Sequence, residues 1–185
     1  MKPYEVIDSE ITYRGKIVDV KMDTIVLPNG RKARREIVLR GEAAAVLPVD
    51  ENGNVYLVRQ YRHALKQMTL EVPAGMINAD ETPAACAGRE LTEETGLTAG
   101  RIVFMMKLHG AIGFSDETIH IYAAEDLLKG DTDFDDEEFI TVESYPLDDA
   151  IGMIRSGAIT DGKTIAALYA YAYAKARGHV YPAKK

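Results

Sequence analysis

The chain has 185 residues, a formal net charge of −7, 46% apolar residues, ten tyrosines and no tryptophan. That length suits one core domain with a small appended unit, and the apolar content sets it apart from disordered chains. The acidic balance, without a lysine or arginine stripe, argues against a nucleic-acid polymer as partner; no stretch reaches the roughly 20 apolar residues of a membrane span, so a soluble protein is expected.

The first segment, "MKPYEVIDSEITYRGK", lacks the basic start and apolar run of a secretory leader, and the single Cys86 has no second cysteine with which to form an internal disulfide. A reducing, cytoplasmic location follows as the expectation. "KIVDVKMDTIVLPNGRKARREIVLR" alternates apolar and polar residues on both sides of Asn29-Gly30, a strong hairpin signal. "EAAAVLPVDENGNVYLVRQYRH" repeats the scheme and predicts a second antiparallel pair around "DENGN". A helix is expected over 82–95, with Thr82 as N-cap, Pro83 in the first helical position and Gly96 at the C-cap. Strands return at 101–109 and 117–124. "EDLLKGDTDFDDEEF" reads as an acidic loop, 139–145 as a strand, and 147–156 and 163–177 as helices. This order fits an α+β or mixed-sheet layered domain better than regular βαβ repeats.

The 82–95 helix carries an unusual load. Residues three and four apart share a helix face, so Glu90, Glu93 and Glu94 project together while Leu91 turns toward the sheet. Like charges at that spacing repel by a few tenths of a kcal/mol per exposed pair, so an isolated helix gains nothing from them. A cation reverses the sign, and oxygen-only ligands suit Mg²⁺ or Mn²⁺. The alternative is a solvated acidic face offset by Arg89. Gly75 and Gly96 bracket the unit, and "EVPAG" places a tight turn whose carbonyl can approach the same ion.

The spacing decides between the two. Gly75, five residues, Glu81, seven residues, then Arg89-Glu90-Leu91-Thr92-Glu93-Glu94-Thr95-Gly96-Leu97 agrees at every defined position with G-x5-E-x7-R-E-U-x-E-E-x-G-U, where U is aliphatic. The chain therefore resembles the Nudix hydrolases. The resemblance implies an α+β fold, a Nudix α/β/α sandwich with a mixed sheet, as a catalytic domain over 41–185. A small N-terminal antiparallel β unit over 1–40 would precede it and serve dimerisation and substrate binding. It also implies metal-assisted cleavage of a nucleoside diphosphate derivative. Glu90, Glu94 and the Ala74 carbonyl would be the metal ligands, Glu93 would act beside them, and Arg89 would orient the carboxylates together with Glu81.

Outside this motif the chain is most similar to the ADP-ribose pyrophosphatase group. "RREIVLRGEAAAVLPVD" resembles the stretch that meets the ligand across a dimer interface in that group; "RQYRHAL" and "EVPAGMI" resemble its pre-motif strand and turn. The implied substrate residues are Arg35, Glu36, Arg62 and Gly75, the two arginines holding phosphate or hydroxyl oxygens through planar forks of donors. Glu137 or Glu138, in the late acidic loop, would be the base that activates water. The implied reaction converts ADP-ribose to AMP and ribose 5-phosphate in a homodimer with exchanged N-terminal strands. "AIGFSDE" departs from the pattern, because Ile112 stands where the ADP-ribose enzymes carry a proline. That leaves room for GDP-mannose or another nucleoside diphosphate sugar. A non-catalytic, nucleotide-binding regulatory Nudix module is a rival of another class, and the intact motif argues against it. Tyr61 could stack on a base, although an aromatic residue in a strand is more often core. The scattered histidines lack a zinc-like spacing, and Cys86 reads as a small buried residue rather than a nucleophile.

Overall fold

A computed structural model describes residues 3–129 and 140–178. In chain order its elements are β1 (Glu5–Arg14), β2 (Asp19–Val26), β3 (Lys32–Leu39), β4 (Glu42–Pro48), β5 (Asn54–Arg62), β6 (Gln67–Glu71), β7 (Ala74–Met76), α1 (Pro83–Thr95), β8 (Leu97–Leu108), β9 (Thr118–Lys129), β10 (Thr141–Pro146), α2 (Leu147–Ser156) and α3 (Gly162–Ala176). They fall into two compact units: the chain up to Glu42 together with His109–Thr118, and Ala43–Leu108 together with the chain from Ile119.

The first unit is a three-stranded antiparallel sheet in the order β1-β2-β3, with the expected hairpin joining β2 to β3. Asp23, on the central strand, is buried; it accepts a 2.6 Å bond from the Ser9 hydroxyl and pairs with Lys21 at 3.1 Å. Those partners hold its carboxyl below the usual range. The 109–118 segment joins the end of β3. Phe114 O accepts from Val38 N at 2.7 Å, and the Asp116 carboxylate accepts from Arg40 N at 2.7 Å.

The second unit is built around β4, which is buried from Ala43 through Pro48. Side chains alternate across a strand, and here both faces are covered. Ala45 and Leu47 join a core with β5, β6, α2 and α3; Ala44 and Val46 join a second core with Cys86, Ala87 and Leu91 of α1. β4 lies in the sheet β7-β4-β9-β8, while β5 lies in a separate sheet, β10-β5-β6. The result is the expected α+β layering, with helix on either side of the β-structure.

Three expectations require correction. "DENGN" does not join a hairpin pair: β4 and β5 enter different sheets, and only Val49 and Val55 form an isolated antiparallel bridge. The Asp50 carboxylate accepts from Asn52 N (2.9 Å) and Asn54 N (2.8 Å), a tight Asx-type turn that redirects the chain at once. "EDLLK" is not a loop but the end of β9, paired from Lys129 to Leu97 along β8. The remainder of the acidic stretch lies outside the described residues. Tyr61 is exposed rather than core, because β5 and β6 extend as a hairpin beyond the packed part of their sheet.

Candidate active site

α1 forms where the sequence places it. The Thr82 side chain accepts from Ala85 N, Pro83 occupies the first turn, and Gly96 closes the helix in the left-handed conformation at φ 68°. Leu91 is fully buried against Ala44, Val46, Tyr122 and Ala124, worth about 2 kcal/mol of apolar burial. That anchor fixes the rotation of the helix and therefore the direction of its acids.

Glu90 and Glu94 are buried at 8% and 4% exposure, while the Glu93 side chain is 37% exposed. Arg89 organises the row. Its Nε donates to Glu81 Oε1 (2.9 Å) and its Nη2 to Glu81 Oε2 (3.0 Å) and to the Met76 carbonyl (3.1 Å). Its Nη1 donates to Glu90 Oε1 (2.6 Å) and Glu93 Oε2 (2.7 Å). Hydrogen bonding by Arg89 lowers the pKa of Glu81, and the same bonds raise that of the guanidinium. Three carboxylates thus share one guanidinium.

β7 lies beside this row, pairing Ala74, Gly75 and Met76 with Ala45, Ala44 and Ala43 of β4. A Cβ on Gly75 would collide with the Glu90 carboxylate, so the glycine is required for the acid to lie against the backbone. Among the described residues no group of three or more His, Cys, Asp or Glu side chains is gathered so as to hold a metal ion by itself. The donors are all oxygens, laid along a helix face beside a backbone that only glycine allows. That set fits an oxygen-preferring divalent cation that keeps waters and shares its shell with phosphate. Burial pushes the Cys86 thiol up to about 12, so it stays protonated at neutral pH.

Arg62 lies in the same unit, at the end of β5, and α1 packs against β5 as well as β7 and β8. Its Nε and Nη2 each donate to the Glu71 carboxylate at 2.8 Å. Glu71 also pairs with Lys163 and accepts from the Thr69 hydroxyl at 2.7 Å. Burial alone would raise its pKa, but Arg62 and Lys163 outweigh that and hold it at about 2. Glu71 and Lys163 were not among the expected site residues. Glu71, in "EVPAG", has one partner nine positions back, Arg62, across the β5–β6 pair, and a second, Lys163, 92 positions ahead; neither pairing shows in the local spacing.

Arg35 and Glu36 belong to the first unit, where with Met22, Arg34, Gly113 and Phe114 they line a cavity of about 650 Å³. Phe114 and Met22 are additions of the structure. Ile112, in the same unit, is 84% exposed. Glu137 and Glu138 lie outside the described residues. A cavity of about 550 Å³ in the second unit, lined by Asp50, Tyr56, Glu125 and Tyr171 among others, holds none of the expected residues.

Residues 39–168 match the NUDIX domain family. The chain belongs to the Nudix family. An ADP-ribose pyrophosphatase of Bacillus subtilis (strain 168) is 37% identical over 164 residues, covering 88% of this chain and 89% of that protein. A GDP-mannose pyrophosphatase of Citrobacter koseri is 34% identical over 142 residues, covering 71% of this chain and 74% of that protein. A crystal structure described as an ADP compounds hydrolase superposes with a TM-score of 0.87 at 23% identity, over 97% of this chain and 98% of the other, a likeness of fold. The chain is a Nudix hydrolase, and enzymes of this family generally use divalent metal ions. No helix among the described residues is long and apolar enough to cross a membrane.

Proposed function

We propose that this Nudix hydrolase cleaves the pyrophosphate bond of a nucleoside diphosphate sugar, converting ADP-ribose and water to AMP and ribose 5-phosphate. The observation that carries the reading is the row of three carboxylates sharing Arg89, with Gly75 making room for Glu90. Similarity to an ADP-ribose pyrophosphatase over 88% of the chain supports the choice of substrate.

Glu90, Glu94 and the Ala74 carbonyl would hold Mg²⁺ or Mn²⁺. Such an ion, when bound, neutralises the diphosphate, lowers the pKa of a coordinated water and stabilises charge on the entering and leaving oxygens. Arg89 keeps Glu90 and Glu93 aligned on one side of the helix, and Glu81 keeps Arg89 in place. Glu93, the most exposed of the three, accepts a proton at its carboxylate or passes it to solvent; Glu137 or Glu138 is the further candidate for the base. Arg62 meets phosphate oxygens, and Arg35 and Glu36 meet the nucleoside end. The 1–40 segment serves as a β unit for dimerisation and substrate binding ahead of a 41–185 catalytic domain. The enzyme works as a cytoplasmic homodimer with exchanged N-terminal strands.

GDP-mannose is the second reading, favoured by Ile112 in place of the expected proline and by similarity to a GDP-mannose pyrophosphatase. The test is a panel of ADP-ribose, GDP-mannose, UDP-glucose and NADH with magnesium, products identified by chromatography. AMP release from ADP-ribose, stopped by EDTA, is the expected result. Preferred turnover of GDP-mannose would move the substrate to the second reading, and a protein inert toward all four would overturn both.

A further inference from the structure

Arg62 is tethered more firmly than a surface arginine requires. β6 directs Thr69 and Glu71 to the same face, and Glu71, only 3% exposed, receives the Nε–Nη2 edge of Arg62 as a two-point fork. A buried carboxylate needs one cation to balance its charge, yet Glu71 also receives Lys163. Lys163 is itself held at 3.1 Å by Asp161, which caps α3 by accepting from Thr164 N (3.0 Å) and from the Thr164 hydroxyl (2.6 Å). The same Thr164 oxygen accepts from Val72 N at 2.9 Å, one residue beyond Glu71. The start of α3 and the end of β6 are thereby locked together.

The two cations differ in exposure. The Lys163 side chain is 12% exposed and engaged by two carboxylates, whereas that of Arg62 is 44% exposed. Among the described residues, the Nη1 of Arg62 is engaged by no hydrogen bond, while its Nε–Nη2 edge is fixed. Arg62 also lies in the electrostatic field of Glu94. A long exposed side chain ordinarily loses rotamer freedom when it binds an anion; one already fixed by a fork does not.

We infer that Glu71 and Lys163 are positioning residues, which hold Arg62 with its Nη1 edge turned outward, ready for a phosphate oxygen of the substrate. This rests on the reading of Arg62 as a phosphate ligand given above. Neither residue touches substrate; both act through Arg62.

The test is a coupling cycle read on ADP binding in the presence of magnesium, by calorimetry, for the wild type, Lys163→Met, Arg62→Ala and the double variant. Lys163→Met is expected to weaken ADP about tenfold, and the double variant to bind no more weakly than Arg62→Ala alone. In turnover of ADP-ribose, Lys163→Met raises KM about tenfold and leaves kcat within about twofold, and Lys163→Arg restores most of the affinity. Unchanged ADP affinity in Lys163→Met, or effects that multiply in the double variant, would overturn the inference. If Lys163→Met does not fold, Thr69→Val, which removes one bond to Glu71, is judged by the same two criteria. Binding and turnover separate the two claims. Coupling without ADP-ribose hydrolysis removes the substrate and leaves the clamp, while hydrolysis without coupling removes only the clamp.

Discussion

Two clusters of charge in the second unit follow opposite designs. Around Glu71, two carboxylates meet two cations, since Lys163 bridges Glu71 to Asp161 and Arg62 grips Glu71 from the other side. At α1, Glu90 and Glu93 of the helix and Glu81 just before it meet a single guanidinium, that of Arg89. The first cluster is closed and neutral, and removing a member exposes an uncompensated charge. The second keeps excess negative charge beside a backbone shaped to admit it, and is complementary to a cation. Burial of acids alone does not mark a functional site; the local balance of charge does.

The comparison breaks most visibly at Glu71. Glu71→Ala leaves Arg62 and Lys163 facing each other and is expected to destabilise the protein by about 4 kcal/mol in urea unfolding. The pH dependence sharpens the same point. Glu71 titrates at about 2 in the folded chain against an ordinary 4.5, so its contribution is complete above pH 4.5 and fades as pH falls toward 2. Up to roughly 3 kcal/mol of stability should be lost over that window, and urea midpoints measured against pH should show a shallower acid slope in Glu71→Gln. The α1 acids should respond the other way. Glu94→Gln is expected to lower kcat by about a hundredfold without lowering the melting temperature, and to abolish most of the rise in melting temperature that magnesium gives the wild type. Gly75→Ala, whose Cβ must displace the Glu90 carboxylate, should lower kcat/KM by about tenfold while α1 remains helical by circular dichroism. The smallest effect belongs to the cap. Thr82→Ala should cost about 1 kcal/mol in thermal unfolding and leave kcat unchanged.

The parts legible in the sequence are those whose causes are local. The cap, proline and terminal glycine of α1 lie within one segment, so the helix can be read residue by residue, and the acid row follows from helical spacing. The hairpin at Asn29-Gly30 is legible for the same reason. The fate of β4 and β5 was not, because "DENGN" specifies a turn and not which sheet each arm enters; burial of β4 on both faces decides that. Nor could the extent of β9 be read, since "EDLLK" is strand only by virtue of its partners on β8. The role of Glu71 is not legible because its pairing with Arg62 follows from the β5–β6 register and its pairing with Lys163 from the distant start of α3. Arg35 and Glu36 were read as candidates, but Phe114 and Met22 beside them became visible only once 109–118 was seen to lie along β3.

The bond from Val72 N to Thr164 has a consequence for synthesis. A ribosome delivers the whole α1 motif well before α3, yet until Asp161, Lys163 and Thr164 emerge, Glu71 has Arg62 but not Lys163 and the Val72 amide lacks its Thr164 acceptor. Closing a loop of that length is a late event in folding. A nascent or prematurely ended chain can therefore carry every residue of the hydrolase motif and still lack the latch, which ties the completion of Arg62's setting to the arrival of α3.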